Sequence, residues 1–251
     1  MRKFRKNLLL FILALIAANA SAQNATDIIK KVDAQMRGEK SSLSTMTMKI
    51  VRPTWERNVS FKAWSMGTDF SMVLITAPAG DKGQSFLKRS REMWNYNPKI
   101  SRMIKLPPSM LSQGWMGSDF TNDDLLNQSS IVVDYKHVLE TTETVEGHEC
   151  FKIVLDPLPH APVVWGKIIM WIHKEKYVQI KAEYFDEDNF LVKTELTKEL
   201  KVIDGRNVPT YMELVPADDE GNKTVIIIDN IEFNIDIKES FFSQQNMKRL
   251  R

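Results

Sequence analysis

A single cysteine, Cys150, occurs in the whole sequence. A lone cysteine cannot close an internal disulfide, so the fold must stand on buried apolar area alone. Cys150 lies in the strand-like run His148-Glu149-Cys150-Phe151-Lys152-Ile153-Val154-Leu155, where a small buried apolar residue is expected. A catalytic thiol would need a base beside it, and no such role is expected of Cys150. Other catalytic signatures are missing too. The sequence has no GxSxG, no P-loop and no GxGxxG, which removes the usual nucleophile and nucleotide sites. His137, His148, His160 and His173 are scattered, without HExxH or His-x-His spacing, so no zinc site is expected. Asp119, Asp123 and Asp124 cluster, but they do not alternate around a glycine as calcium ligands do, and helix capping accounts for them. The expectation is a protein that is not an enzyme and that uses neither cofactor nor metal.

Long apolar runs are lacking as well. The longest, Leu8 to Ala18, is eleven residues, short of the roughly 18 needed to cross a bilayer. Arg2, Lys3, Arg5 and Lys6 precede it and Ala20-Ser21-Ala22 follows, which is the anatomy of a cleaved secretory signal. Residues 1–22 are therefore expected to be removed, leaving 23–251 as one soluble periplasmic domain, with no cysteine at the cleavage site to take a lipid anchor. Losing four positive charges turns the formal +2 into −2. A basic excess suited to nucleic acid is thus absent, and no nucleic-acid partner is expected. Basic and aromatic residues do interleave at Lys88, Arg89, Arg91, Trp94, Tyr96, Lys99, Arg102 and Lys105. A solvated strand face explains them, and a rim meeting anionic headgroups or an acidic partner is the sharper alternative.

What is present is alternation. After an amphipathic helix over Thr26 to Met36, with Ile28, Ile29, Val32 and Met36 on one side and Gly38 as the stop, the period changes from 3.6 to 2. Met46, Met48 and Ile50 alternate with Thr45, Thr47 and Lys49; Val59, Phe61 and Ala63, then Phe70, Met72 and Leu74, repeat the pattern. Strand-like runs continue at 84–89, 92–97, 101–106, 131–140, 148–156, 164–173, 176–186, 189–202, 206–215 and 223–237. Short turns such as Glu146-Gly147 and Asp204-Gly205 separate them. This predicts an antiparallel meander that must curl to hide its edges. In the last run Val225, Ile227, Ile231, Phe233, Ile235 and Ile237 are read as one face that only Asp229 interrupts. The run 164–173 is apolar on both faces, Ile168, Met170 and Ile172 on one and Trp165, Ile169 and Trp171 on the other, so both need covering.

One stretch breaks the pattern. Pro107-Pro108 ends a strand and opens a short helix through Met110 and Leu111, and Thr121 with Asp124 three residues on forms a capping box for a second. These helices, rich in Met, Trp, Phe and Leu, must bury their side chains, and the concave face of the sheet is the natural place. The 13 methionines and six tryptophans supply soft, adaptable apolar surface for a ligand of variable shape, although an ordinary packed core explains them equally well.

The run Asn95-Tyr96-Asn97-Pro98-Lys99-Ile100-Ser101-Arg102-Met103-Ile104-Lys105-Leu106-Pro107-Pro108, continued through Trp115-Met116-Gly117-Ser118-Asp119-Phe120 to Leu125, resembles the outer-membrane lipoprotein-sorting protein family, the LolA-like and LolB-like periplasmic lipoprotein carriers. The likeness extends over nearly all of 23–251. It implies a mainly β fold, a single antiparallel incomplete, half-open β-barrel with an N-terminal helix and short plug helices on its concave face. It further implies a monomeric carrier of lipid or lipoprotein acyl chains, with an inner-membrane transporter and an outer-membrane acceptor as partners. The alternative is an accessory or sensor module of an envelope-stress regulator or of an RND-type membrane exporter, built on the same half-barrel. On this reading Trp64, Met66, Trp94, Met110, Leu111, Trp115, Met116 and Phe120 contact the ligand, with 107–126 as a lid.

Overall fold

The computed structural model describes residues 25–35, 40–126 and 130–250. The expected signal segment 1–22, Met36 and Gly38 lie outside them. Residues 25–35 form helix α1. Six strands follow: β1 (Ser41–Arg52), β2 (Trp55–Met66), β3 (Phe70–Ala77), β4 (Ser85–Arg89), β5 (Glu92–Asn97) and β6 (Arg102–Lys105). Two 3-10 turns, Pro108–Met110 and Trp115–Gly117, and helix α2 (Asn122–Leu126) interrupt them. Then come β7 (Tyr135–Val145), β8 (His148–Pro157), β9 (Lys167–His173), β10 (Gln179–Phe185), β11 (Leu191–Ile203), β12 (Arg206–Pro216) and β13 (Lys223–Phe233). A 3-10 turn at Glu239–Phe241 and helix α3 (Gln244–Met247) end the chain.

All neighbouring strands pair antiparallel in one sheet, ordered β6-β5-β4-β3-β2-β1-β13-β12-β11-β10-β9-β8-β7. Each hairpin joins neighbours, and β13 returns to pair with β1 at the centre. The two edges, β6 and β7, are consecutive in sequence. Thirteen strands laid flat at ~4.8 Å would span roughly 58 Å, yet the connection between these edges is folded into short helices. The sheet must therefore curl, and this connection must cross its concave side. The sheet stays open, a half-barrel with a plug.

Register assigns the faces. Met48, Ile50, Val59, Phe61, Val73, Ile75, Phe86 and Met93 point inward together with Leu214, Ile226 and Ile228, and Trp115 and Phe120 of the plug complete this half of the core. The other half places Ile153, Leu155, Ile168, Met170, Ile172 and Ala182 under α1, whose Ala25, Ile28, Ile29 and Val32 are buried against them. The helix expected from Ile28, Ile29 and Val32 is thus present and covers the sheet.

β13 departs from the simple alternation. Thr45 pairs with Asn230 and Met46 with Ile228, so Asp229 is an extra residue, a β-bulge. One inserted residue reverses the side-chain parity beyond it. The concave face therefore carries Ile226 and Ile228 with Ile231 and Phe233, not Val225 and Ile227 as unbroken alternation requires. β13 also ends at Phe233, before Ile235 and Ile237.

The convex face has covers of its own. Met72, Leu87 and Trp94 pack under Phe242 and Met247 of the C-terminal segment, and Ser85 Oγ donates to the Met247 carbonyl at 2.9 Å. Farther round, Trp171 packs with Cys150 and Ile180. β9 is apolar on both faces, Ile168, Met170 and Ile172 on the concave side and Ile169 and Trp171 on the other. Trp165, expected beside Trp171, instead lies with Ile168 and Met170, because the strand begins only at Lys167 and the alternation does not run back to it.

Candidate functional site

The plug begins with a tight turn. A Cβ on Gly114 would lie 2.7 Å from the Ser118 carbonyl oxygen, so only glycine fits. Met116 and Gly117 both have positive φ, 54° and 82°, a region that costs a side chain energy but not glycine. The turn drives Trp115 into the core, 1% exposed, edge-on to Phe61 and tilted against Phe86, each at 5.3 Å.

Two arginines of the first hairpin tie this turn to the rim. Arg52 donates to both carboxylate oxygens of Asp119, at 2.9 and 3.0 Å, and to the Gly117 carbonyl at 3.1 Å. Arg57 donates to the Met116 carbonyl at 3.2 Å, and Thr224 Oγ1 donates to Asp119 at 2.6 Å. The sequence does show Asp119, but its partner is a residue 67 positions away on a strand end.

The capping box is present. Asp124 N donates to Thr121 Oγ1 at 3.1 Å and Thr121 N to Asp124 Oδ2 at 2.7 Å, as the spacing predicts. Asp124 also forms an ion pair with Lys193 of β11 and accepts from Trp165 Nε1 at 3.3 Å. Lys193, 3% exposed, is enclosed by the Trp165, Tyr184 and Phe120 rings, its ammonium 4.4, 4.9 and 5.8 Å from their centroids. Next to it Glu195 accepts from Gln179 Nε2 at 3.0 Å and from Tyr184 Oη at 3.2 Å. Burial pushes the Glu195 carboxyl above the usual carboxylate range, and Lys193 pulls it back in part. The Tyr184 phenol is raised by burial and by the charge of Glu195.

Between the plug, α1 and the concave sheet lies a cavity of about 340 Å³, within the span of small-molecule sites. Met46, Ala63, Phe120, Ile131, Trp165, Ile168, Met170, Met212, Ile226, Ile228 and Ile231 give it an apolar wall, and Ser42, Ser44, Asp123, Asp124, Gln179, Glu195 and Thr197 are its polar points. Pairs that build this wall are far apart in sequence and meet only through strand register.

The eight residues singled out from sequence fall in two places. Trp115 and Phe120 are buried in the core under the plug, with Leu111 and Met116 packed against it, and Phe120 lines the cavity. Met110 ends the first 3-10 turn, and its carbonyl accepts from Asn122 Nδ2 at 2.9 Å. Trp94, with Trp64 and Met66 against it, belongs to the cluster under the C-terminal segment. Trp64 leans on Phe241 at 5.4 Å and also borders the cavity. Among the described residues no group of three or more His, Cys, Asp or Glu is placed to hold a metal ion, and no helix is long and apolar enough to cross a membrane.

The fold has relatives. A DUF1329 family protein from Desulfovibrio piger superposes with a TM-score of 0.83 at 24% identity, over 90% of this chain and 99% of that one. A domain assigned to outer-membrane lipoprotein sorting from Vibrio parahaemolyticus gives 0.81 at 21% identity, over 91% and 100%. A LolA superfamily protein from Nitrosomonas europaea gives 0.77 at 23% identity, over 88% and 98%. No curated protein matches the sequence. A family model that bears the description "-like: Uncharacterized protein" matches residues 67–249. The chain belongs to that family, and its curled, plugged sheet is the fold of the LolA-like lipoprotein-sorting proteins.

Proposed function

We propose that the protein is an exported periplasmic carrier that holds the acyl chains of a lipid or lipoprotein in the concave cavity, for transfer toward the outer membrane. The observation that carries this reading is the cavity itself. An apolar space of about 340 Å³ persists between the sheet and two separate covers, where a purely structural core would close to native density. Each methylene moved from water into such a space gains ~0.8 kcal/mol, so a sixteen-carbon chain gains on the order of 12 kcal/mol. A carrier must also release its cargo. A plug held by polar contacts at the rim, with Trp115 and Phe120 filling part of the interior, competes with the cargo and lowers the net affinity enough for hand-off. The signal-like start of the chain fits export, and an inner-membrane donor and an outer-membrane acceptor are the partners such a cycle needs.

Filling the cavity is the direct test. Ser44 and Ala63 are small residues on its wall. The double variant Ser44→Leu, Ala63→Leu should lose co-purifying lipid in native mass spectrometry while its melting temperature holds or rises, as for other cavity-filling changes. Unchanged lipid loading in a folded variant rules the cavity out as the cargo site.

A further inference from the structure

The basic and aromatic residues that interleave from Lys88 to Lys105 are divided by the fold. Lys88 is buried and donates to the Thr68 carbonyl at 2.7 Å, while Arg89 pairs with Glu239 and Lys105 with Glu92. Trp94 and Tyr96 lie in the cluster under the C-terminal segment. Arg91, Lys99 and Arg102 remain, and Arg91 is at the opposite end of β5 from the other two. Lys99 and Arg102 flank Ile100 at the turn from β5 to β6, and all three are exposed. Among the described residues neither cationic side chain has a hydrogen bond or an ion pair. Lys82, exposed and equally uncommitted, is beside them. Its loop touches this turn, since a Cβ on Gly83 would lie 3.1 Å from Pro98 Cγ. Ile104 shares a face of β6 with Arg102; it is 41% exposed and Ile100 65%. The carboxylates of this corner are already matched, Asp81 to Arg57 and Glu92 to Lys105.

We propose that this corner docks the protein on an anionic bilayer surface. Lys82, Lys99 and Arg102 meet lipid phosphates, and Ile100 and Ile104 enter the headgroup boundary. Uncommitted cations set around exposed aliphatic side chains are what adsorption to such a surface uses. Exposed apolar residues elsewhere on this end of the sheet lack that setting. Phe190 is 70% exposed but follows the acidic turn Asp186-Glu187-Asp188. The loop with Asp218, Asp219 and Glu220 lies beyond the first hairpin, where a Cβ on Gly221 would sit 3.4 Å from Pro53 Cγ. An anionic surface repels both acidic loops and attracts the basic corner, which fixes the side of the molecule that faces it. That side is next to the plug: Leu106, two residues past Ile104, packs on the core that Trp115 and Phe120 complete. A carrier docked there presents its plug to the membrane that gives or takes cargo, but the docking itself does not depend on what fills the cavity.

Co-sedimentation with phosphatidylcholine vesicles, with and without about one-third phosphatidylglycerol, tests the surface at pH 7.5. Partition should be about tenfold higher on the anionic vesicles at low salt and should fall toward the neutral value in about 0.5 M NaCl. Lys99→Glu with Arg102→Glu should lower it about tenfold or more. Ile100→Ser should lower it severalfold and keep the salt response, and Arg91→Glu, at the far end of β5, should change it less than about twofold. Equal partition on neutral and anionic vesicles overturns the proposal, as does a charge-reversed pair that still adsorbs like the wild type. Failure to adsorb to either vesicle also overturns it and leaves the corner to a protein with an acidic face. Co-purifying lipid, read separately by native mass spectrometry, tells a lost dock from a lost cargo site.

Discussion

Arg52 grips Asp119 through both carboxylate oxygens, and the two side chains are only 14% and 11% exposed. The pair joins the end of β1 to the turn that carries Trp115, so the deepest aromatic of the plug is positioned by a contact at the rim. Charge-assisted, bidentate bonds of this kind are about twice as strong as neutral ones and fix orientation as well.

Asp119→Asn keeps the shape and weakens the grip. It should cost about 1–3 kcal/mol in urea unfolding and raise amide exchange across 114–120 ahead of the sheet. If exchange in that segment stays at the wild-type rate, the plug is held by Trp115 packing alone.

Lys193 and Asp124 make the second long-range tie, between β11 and the cap of α2. Lys193→Met leaves Asp124 without its cation in a mostly enclosed site, and breaking such a pair costs about 3–5 kcal/mol. Adding Asp124→Asn removes the orphaned charge. The double variant should then be less destabilised than the sum of the singles. Additive losses in a double-mutant cycle would show that the two residues act independently.

How far all this was legible from sequence follows from the range of the interactions. Strand alternation and the Thr121–Asp124 cap are local. The cap is found where its spacing puts it, and the strands fall near the expected runs, although β7 is Tyr135–Val145 where the sequence predicts 131–140 and β13 stops at Phe233. The bulge at Asp229 is invisible to alternation, because it is set by β1 across the ladder. For the same reason Trp64 and Trp94 are recognisably apolar strand residues, but the face they occupy depends on which segment covers it. Here that is the C-terminal stretch around Phe242 and Met247, which carries no strong helical period. The Lys193–Asp124–Trp165 group joins three elements 28 to 69 residues apart, and nothing in local composition announces it.

His137 links α1 to the sheet. Its Nε2 donates to the Ile131 carbonyl at 2.6 Å, so Nδ1 is the acceptor for the Thr26 hydroxyl at 3.0 Å. That arrangement requires the neutral ring, and burial lowers its pKa below the ordinary value of 6.5. The unfolded chain therefore takes up the proton first as pH falls. Stability is intact above about pH 6.5 and drops as pH falls from there through the folded-state value. His137→Asn should flatten this slope in urea midpoints measured between pH 7 and 5. Glu195 shifts the other way, its folded form holding a proton more readily, so the comparison between variant and wild type isolates the histidine. An identical slope in both would place the acid sensitivity elsewhere, with His173, also lowered by burial, as the next residue to change.

Trp115 sets the stability of the plug and cannot be treated as a removable ligand contact. It is wedged between Phe61 and Phe86 at 1% exposure, and truncating a buried tryptophan costs about 3–5 kcal/mol. Trp115→Ala should therefore lower the melting temperature and unfold in a broader transition, because the plug loses its anchor while the sheet keeps its ladders. Met116 is different: it is only partly buried and already in a left-handed conformation, φ 54°. Met116→Gly relieves that conformation and removes modest packing, so it should change stability by less than about 1 kcal/mol. The contrast is decisive when both are measured on the same protein. If Trp115→Ala proves as mild as Met116→Gly, the plug is a surface loop in energetic terms, and the cavity beneath it is open to solvent whether or not cargo is bound.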